Sequence, residues 1–323
     1  MTRVLITGVS GQDGSYLADR LVAEGSEVHG LVRSLDEDAR ALRDRLPEVV
    51  LHEGDLADTA GLEELVLRVA PDELYNLAGI SSVAQSWREP VLTGRVTGIA
   101  FAAIAEAAAR LPGEVRVFQA SSSEIFGNPP VSPQNESTPL DPTSPYGAAK
   151  AYAHRMAQLA RSRGRFVATG ILYNHESPRR PETFVTRKIT AGVARIAAGR
   201  QDTLELGDLS VERDWGWAPD FVDAMLRAMR HDEPDDYVIA TGESHSVADF
   251  VEAAFRAAGI DGEGRVRVNP DFIRPAEISR MRGDASRARN VLGWRPTVGF
   301  DELVARMVAH DIELVEADRG ADA

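Results

Sequence analysis

The sequence predicts an α/β fold, in which a doubly wound, mainly parallel sheet carries helices on both faces and a smaller C-terminal domain follows. Short apolar strand patterns alternate with alanine-rich helical stretches through the first half of the 323 residues. A glycine-rich turn, GVSGQDG, follows the first strand pattern and opens a helix. After Asn174 the alternation loosens, and proline and arginine cluster in HESPRRPETF.

The elements are expected at regular intervals along the chain. We predict strands at Val4–Thr7, Val28–Val32, Val49–His52, Leu74–Leu77, Val115–Gln119 and Phe166–Leu172. Helices are predicted at Ser15–Glu24, Ile99–Arg110, Ala148–Ala160 and Phe184–Ala198, with a last one from Phe300. A late strand, Tyr237–Thr241, is expected to return to the main sheet. The first domain is therefore residues 1–174 with 208–243, and the second is 175–207 with 244–323.

Composition argues against several classes of protein. The formal net charge of −14 disfavours nucleic-acid binding, which needs a basic face. With no cysteine there is no disulfide, and the seven histidines are scattered without metal-ligand spacing, so no metal site is expected. No run of 18 apolar residues occurs, so no membrane span is expected. The N-terminus lacks signal-peptide order, and the expected location is the cytoplasm.

The glycine-rich turn predicts a phosphate-binding site. Its glycines, Gly8, Gly11 and Gly14, permit a tight turn and let backbone N–H groups approach a pyrophosphate at the helix N-terminus. The residues between them, Ser10, Gln12 and Asp13, are expected at the same site. A glycine triplet can also be a simple turn, but the strand–turn–helix context favours a dinucleotide site in a Rossmann-type domain.

The end of the second strand indicates which dinucleotide is bound. Arg33 stands where an acidic residue would accept from the ribose hydroxyls of NAD, and an arginine suits the 2′-phosphate of NADP. A solvated surface arginine is the alternative, and Asp36 and Asp38 lie nearby, so NAD stays possible. After the third strand, Asp55 and Leu56 are expected to flank the adenine.

A tyrosine and a lysine share one helix face. Tyr146 and Lys150 are four residues apart, Ser144 can cap their helix, and Pro145 suits its first position. A nearby ammonium lowers the pKa of a tyrosine and makes it a better base. Lys150 and Lys188 are the only lysines among 36 basic residues, so each is a candidate for a task that arginine cannot perform. An exposed helix pair is the alternative.

Combined with the strand-end sequence QASSSEIFG, these features resemble the extended short-chain dehydrogenase/reductase superfamily and, within it, the GDP-mannose 4,6-dehydratase family. The matching segments span nearly the whole chain: TGVSGQDGSYLA, YNLAG, QASSSEIFG, SPYGAAK, NHESPRRPETFVTRKIT, LGDLSVERDWGWAPDFV, VIATGESHSV and RPAE.

The resemblance implies a lyase that works by internal hydride transfer through bound NADP. Ser122 stands where the family has threonine, Glu124 matches the catalytic glutamate, and Tyr146 and Lys150 match the YxxxK pair. The implied reaction converts GDP-mannose to GDP-4-dehydro-6-deoxy-mannose and water. Another sugar-nucleotide 4,6-dehydratase, or a 4-reductase or epimerase that needs only serine, tyrosine and lysine, is the alternative.

The resemblance also implies the binding residues. On the cofactor side these are Leu77, Ala78, Gly79, Ser81, His175 and Arg180. On the substrate side they are Ser81, Ser122, Glu124, Asn174, Val185, Lys188, Arg213, Arg274 and Glu277. Arginine forks suit the pyrophosphate, a carboxylate suits ribose hydroxyls, and Lys188 suits the guanine carbonyl. Surface salt bridges are the alternative for each, and Trp215 and Trp217 are expected in the core.

The chain departs from the family at two places that bear on assembly and the cofactor. Ser82 replaces the usual histidine. After Arg33 the chain reads SLDEDARALRDRL, where the family carries an arginine- and serine-rich loop that reaches a neighbouring subunit and supports a tetramer. We therefore expect a homodimer, formed through the alanine-rich helices that contain Tyr146 and Ile99, with a tetramer possible.

Overall fold

The computed structural model describes residues 1–272 and 278–321, with side chains to residue 318. Its strands are β1 (Arg3–Thr7), β2 (Glu27–Val32), β3 (Val50–Glu53), β4 (Glu73–Asn76), β5 (Arg116–Ser122), β6 (Val167–Leu172), β7 (Asn174–Glu176), β8 (Leu204–Leu206), β9 (Glu212–Arg213), β10 (Trp215–Trp217), β11 (Asp236–Ile239), β12 (His245–Ser246) and β13 (Val266–Val268).

The α-helices pack around these strands, mostly between consecutive members of the main sheet. They are α1 (Gln12–Ala23), α2 (Glu37–Arg45), α3 (Thr59–Val69), α4 (Val83–Arg88), α5 (Pro90–Thr93), α6 (Ala100–Arg110), α7 (Pro145–Ser162), α8 (Val185–Ala197), α9 (Ala218–Arg230), α10 (Val247–Ala258), α11 (Ser286–Leu292) and α12 (Phe300–Ala321). A π-helical turn, Gly94–Ile99, joins α5 to α6, and a 3₁₀ turn, Ser123–Phe126, follows β5.

Seven parallel strands form the main sheet in the order β11-β6-β5-β4-β1-β2-β3. The strand order reverses direction between β1 and β4, where a crevice opens outside the carboxyl ends of the strands. The glycine-rich turn follows β1, the segment YNLAG ends β4, and QASSSEIFG ends β5 beside them. The predicted doubly wound parallel sheet is confirmed, and it places the three motifs at one edge.

Both faces of the sheet are buried, which explains why its strands are nearly all apolar. Successive side chains of a strand point to opposite faces. Val4 and Ile6 therefore lie in one core with Phe118, whereas Leu5 lies in the other with Val117. Helices α3 and α6 supply Leu62, Leu65, Phe101 and Ile104 to that second face.

A separate hydrophobic core lies in the C-terminal part of the chain. Helices α8, α10 and α12 enclose it with Ile189, Phe250, Leu303 and Val304, and Trp215 is buried there as expected. Residues from Ile278 to Trp294, assigned from the sequence to the second domain, contribute to the core of the main sheet instead. Residues that follow position 243 therefore also pack against the main sheet.

Several element boundaries differ from the sequence prediction. Helix α1 begins at Gln12, three residues earlier than expected, because Gly11 already has the extended backbone of an N-cap. Helix α2 was not predicted; the Asp36 carboxylate caps it by accepting from Ala39 N, and Ala39 and Leu42 are buried. Strand β5 continues to Ser122, which brings the serines into the sheet.

The stretch Pro90–Arg110 has the length and mean hydropathy, 1.4, of a membrane-crossing helix, although no apolar run of 18 residues was found in the sequence. Half of its most apolar window is buried inside the protein. Phe101 and Ile104 on α6 pack beneath the main sheet. Length and composition alone do not separate such a core helix from a membrane span.

Candidate active site

The glycine-rich turn between β1 and α1 forms a close backbone cradle. Gly8 has a φ of +72°, a conformation that side chains rarely adopt. A Cβ on Gly14 would lie 2.2 Å from the Gly8 carbonyl oxygen, so only glycine fits there. Helix α1 starts with no side-chain cap at Gly11, which leaves its first N–H groups to a ligand. The cradle fits a pyrophosphate at a helix N-terminus.

The side chains of Gln12 and Asp13 face the segment after β7. Gln12 Nε2 donates to the His175 carbonyl oxygen at 3.1 Å, and Ser177 Oγ donates to Gln12 Oε1 at 2.9 Å. Asp13 Oδ2 lies 2.8 Å from His175 Nε2. Sequence reasoning placed Gln12, Asp13 and His175 at the cofactor but missed this interlock and Ser177. The contacts span more than 160 positions of the chain, so local patterns carry no signal for them.

The Asp13–His175 pair is ionic. Burial is the largest influence on the pKa of His175 and lowers it, but the charge and hydrogen bond of Asp13, together with the hydrogen bond to the Tyr173 carbonyl, raise the net pKa above 6.5. Burial is also the largest influence on the pKa of Asp13 and raises it, but His175, the Gln12 hydrogen bond and the Arg180 charge together bring the net pKa below 3.8. The negative charge of Asp13 beside the phosphate cradle is therefore balanced by the positive charge of His175, which reduces the repulsion toward a bound anion.

The predicted adenosine end is formed by the residues after β2 and β3. Arg33 is exposed, and within the described residues no hydrogen bond or ion pair involves its side chain. Asp36 is committed to capping α2 and is not free to accept from a ribose. Asp55 Oδ1 accepts from Ala57 N at 2.8 Å and shapes the turn, and Leu56 is half-buried beside it.

The turn after β4 is held by two buried threonines. Thr7 Oγ1 accepts from Leu77 N and Ala78 N at 3.1 and 3.2 Å, and Thr97 Oγ1 accepts from Ile80 N at 3.2 Å. Gly79 has a φ of +150°, and a Cβ there would meet Thr97 Oγ1 at 3.0 Å. The loop from Leu77 to Ser81 therefore sits at the crevice beside the phosphate cradle, with Ser81 exposed.

The catalytic candidates meet where β5 ends against the start of α7. Ser122 Oγ accepts from Glu124 N at 3.3 Å, and Glu124 is half-buried on the 3₁₀ turn. Ser144 caps α7 by accepting from Gly147 N at 3.0 Å, with Pro145 in the first turn, as predicted. A Cβ on Gly147 would lie 2.6 Å from the Glu124 carbonyl oxygen. This glycine lets α7 approach the glutamate turn closely.

Tyr146 and Lys150 are both buried on α7. Burial raises the pKa of Tyr146 to about 12; a hydrogen bond with Ser122 opposes the rise and the Glu124 charge adds to it. Burial lowers the pKa of Lys150 to about 8. The predicted lowering of the tyrosine pKa is not what this structure shows. Lys150 Nζ donates to the Ala120 carbonyl at 2.7 Å and lies 5.9 Å from the Tyr146 ring centre, so burial dominates.

Arg180 connects the catalytic and cofactor groups electrostatically. Its positive charge lowers the pKa values of both Tyr146 and Asp13, although burial is the largest influence on each. Its guanidinium forms an ion pair with the buried Glu176 at 3.2 Å and lies 3.7 Å over the Phe184 ring. The predicted cofactor-side arginine therefore acts electrostatically on Tyr146, the predicted catalytic tyrosine.

The remaining predicted substrate residues within the described part of the chain lie on β7, α8 and β9. Asn174 pairs with Trp215 across β7 and β10, and Val185 begins α8. Lys188 Nζ lies 4.0 Å over the Phe272 ring. Arg213 is buried, and its Nη1 donates to the carbonyls of Glu212 and Ile278 at 2.9 and 2.7 Å.

Two other predicted substrate residues, Arg274 and Glu277, lie outside the described residues. Within the described part of the chain, no group of three His, Cys, Asp or Glu side chains could hold a metal ion. The site as described therefore consists of a phosphate cradle, a serine–tyrosine–lysine set, and one glutamate beside them.

Comparison with known proteins shows to which family the chain is similar. The family model described as GDP-mannose 4,6 dehydratase matches residues 5–307. The chain is 42% identical to GDP-mannose 4,6 dehydratase 2 of Arabidopsis thaliana, covering 98% of this chain and 88% of that one. It is 41% identical to the Homo sapiens GDP-mannose 4,6 dehydratase, covering 98% and 93%.

A solved structure shows the same fold. The UDP-glucose 4-epimerase of Thermus thermophilus, determined as a complex with NAD, is 28% identical, covers 96% of this chain and is itself covered to 98%, with a TM-score of 0.82. This chain has Glu124 beside its serine, tyrosine and lysine. The match to the family model extends over nearly the whole chain. The chain belongs to the GDP-mannose 4,6-dehydratase family.

Proposed function

We propose that the protein is a hydro-lyase that converts GDP-mannose to GDP-4-dehydro-6-deoxy-mannose and water. The observation that carries this proposal is Glu124, held by the β5 end beside Ser122 and Tyr146. Oxidation and reduction at C4 need only the serine, tyrosine and lysine. An elimination also needs a group that removes a proton from carbon and returns one to oxygen, and a half-buried carboxyl can do both.

Each catalytic side chain has a separate task. Tyr146 takes the proton of the sugar 4-hydroxyl as its phenolate, the form that the Ser122 hydrogen bond and the Arg180 charge favour against the burial that raises its pKa to about 12. Ser122 is placed to hydrogen-bond the oxygen at C4. The 4-ketone acidifies the hydrogen on C5, which Glu124 removes as a base. Glu124 then gives its proton to the departing 6-hydroxyl, which leaves as water. A bound nicotinamide dinucleotide would accept the C4 hydride and return it to C6. As it returns, C5 takes up a proton from solvent and Tyr146 releases the proton that it took, so the cycle balances.

The backbone cradle from Gly8 to Gly14 fits the pyrophosphate of a nicotinamide dinucleotide, and we propose that this cofactor is NADP. Arg33 is exposed at the end of β2 with no partner among the described residues, and Asp36 is occupied as a helix cap. An arginine free of partners suits a 2′-phosphate, whereas a free carboxylate in its place would suit NAD.

The cofactor proposal predicts a selective defect. R33A should weaken NADPH binding at least about tenfold, since it removes a charged donor to phosphate, and should leave NADH binding within about twofold. Fluorescence titration of the purified protein measures both. An equal loss for the two dinucleotides would contradict a contact between Arg33 and the 2′-phosphate.

On the substrate side, we assign the GDP moiety to the face formed by β7, α8 and β9. Lys188 and Arg213 supply positive charge there, and Asn174 and Val185 line the same side. Arg274 and Glu277 complete the proposed set by resemblance. Burial lowers the pKa of Lys188, so that its ammonium is less strongly hydrated than a surface lysine and better suited to a neutral acceptor.

We further propose a homodimer and a cytoplasmic location. Tyr152 and Leu159 on α7 are 47% and 54% exposed, and Ile99 beside α6 is 48% exposed. Large apolar side chains on the outer faces of two adjacent helices suit a self-complementary contact. The absence of cysteine agrees with a reducing compartment, and cell fractionation tests the location.

The function is tested by incubating the purified protein with GDP-, dTDP-, UDP- and CDP-hexoses and identifying products by mass and NMR. We expect loss of one water from GDP-mannose, giving a 4-keto product with a methyl group at C6. A product with C6 still hydroxylated and C4 inverted would indicate an epimerase instead. Turnover of another nucleotide's sugar in preference to GDP-mannose would overturn the substrate assignment.

A further inference from the structure

We propose that Arg187 is a positioning residue for the cofactor site, holding the segment that carries Arg180 in place through two backbone carbonyls. The inference rests on the proposed function, because it assigns Arg180 to the bound dinucleotide. Arg187 stands in the matching segment NHESPRRPETFVTRKIT but is not among the assigned site residues, and it lies in the first turn of α8.

The Arg187 guanidinium is fixed from one side by the last helix. Its Nε donates to both carboxylate oxygens of Asp311 on α12 at 2.9 and 3.0 Å, and Nη2 donates to Oδ1 at 2.5 Å. Both residues are buried, at 7% and 2% exposure. Such a paired and buried fork has one available orientation.

The other side of the same guanidinium holds the cofactor segment. Arg187 Nη1 donates to the carbonyl oxygens of Pro178 and Arg180, each at 2.9 Å. Arg187 therefore holds the backbone of Arg180, the residue whose positive charge lowers the pKa values of Tyr146 and Asp13. A lysine could pair with Asp311 but has no second, rigidly placed donor that reaches both carbonyls at once.

A neighbouring residue strengthens this attachment. Thr186 Oγ1 donates to Glu176 Oε2 at 2.6 Å, and that carboxylate pairs with the Arg180 guanidinium. The first turn of α8 thus contacts the backbone of Arg180 and the ion-pair partner of its side chain. Lys188, which follows Arg187 on the same helix, lies over the Phe272 ring on the proposed nucleotide side. Helix α8 therefore connects the cofactor segment to the substrate domain.

The test compares conservative variants of the full chain by NADPH fluorescence titration, GDP calorimetry and thermal unfolding. R187K should weaken NADPH binding about tenfold, because it loses at least one charge-assisted carbonyl bond, while GDP binding stays within about twofold. T186V should weaken NADPH binding about threefold by the loss of one hydroxyl donor. R195K is the matched control: Arg195 lies on the same helix in a more exposed pair with Glu182, and no change is expected.

A fourth variant separates positioning from general stability. D311N weakens the pair that orients the guanidinium but removes neither carbonyl bond, so it should lower the unfolding temperature while NADPH affinity falls by no more than about threefold, less than in R187K. R187K and T186V binding NADPH within twofold of the wild type would overturn the inference, as would a loss in D311N equal to that in R187K. Wild-type protein that binds NADPH without turning over GDP-mannose would contradict the proposed function alone.

Discussion

At the scale of single residues, the proposed mechanism makes Glu124 the group that distinguishes an elimination from a simple redox reaction. The strand end supplies Ser122 and the helix supplies Tyr146, and both groups would serve a reductase equally well. Glu124 lies two residues beyond the serine, on the 3₁₀ turn, where its charge raises the pKa of Tyr146. The same fold thus gains a different chemistry from one additional carboxyl group.

E124Q should lower kcat by at least about 100-fold, because it removes the general base and acid, and should leave NADPH binding intact. In E124Q, the exchange of the sugar C5 hydrogen with deuterated water should also disappear. The exposed Glu243 provides the control variant E243Q, expected to behave as wild type. Full-rate loss of the 6-hydroxyl in E124Q would show that another residue is the base.

The Asp13–His175 pair makes the phosphate cradle sensitive to pH. His175 has a raised pKa, so its contribution is complete below about pH 6.5 and is lost as pH rises through the folded-state pKa. Asp13 has a lowered pKa, so its contribution is present above pH 3.8 and is lost as pH falls through the folded-state pKa. The pair is therefore strongest in the mildly acidic range.

D13N should reduce the free energy of unfolding by about 1–3 kcal/mol near pH 5.5, the cost of a charged hydrogen bond, with the difference shrinking toward pH 9. Thermal unfolding across that range measures it. D19N is the control, since Asp19 pairs with two arginines, Arg45 and Arg179, and not with a histidine. A D13N difference that stays constant with pH would contradict the ionic pairing.

At the scale of elements, much of the fold could be predicted because its signals are local. The strand from Val4, the glycines after it, and the Ser144–Pro145 helix start are each read within a few residues. The 3₁₀ turn that carries Glu124 was not predicted, because its geometry depends on contact with α7. Neither was the attachment of Asp13 to His175 or of Arg187 to Asp311, since both join distant parts of the chain.

The contact between α7 and the glutamate turn is a second test at this scale. G147A places a Cβ 2.6 Å from the Glu124 carbonyl oxygen, so we expect α7 to shift, with about 1–3 kcal/mol lost in unfolding and a lower kcat. G94A is the control, because no atom lies within 4 Å of a Cβ at that helical glycine. Equal kinetics for the two variants would contradict the close approach.

At the scale of the whole molecule, the exposed apolar side chains of α7 and of Ile99, in the π-helical turn before α6, are the basis of the proposed assembly. Light scattering should give about twice the chain mass of 35.0 kDa, and L159E should give the single-chain mass by placing a charge in the contact. R256E, on the exposed surface of α10 and away from α7, is the control that shows whether any charge reversal has this effect. A wild-type monomer, or a tetramer unaffected by L159E, would contradict the proposed interface.

The molecule brings one redox set, one carboxyl group and one dinucleotide cradle to a single sheet edge, so the hydride taken from C4 should return to the same sugar. GDP-mannose carrying deuterium at C4, incubated with the protein and no added cofactor, tests this directly by NMR of the product. We predict deuterium in the C6 methyl group and a ketone at C4. Deuterium retained at C4, or an unlabelled methyl group, would contradict the internal redox cycle.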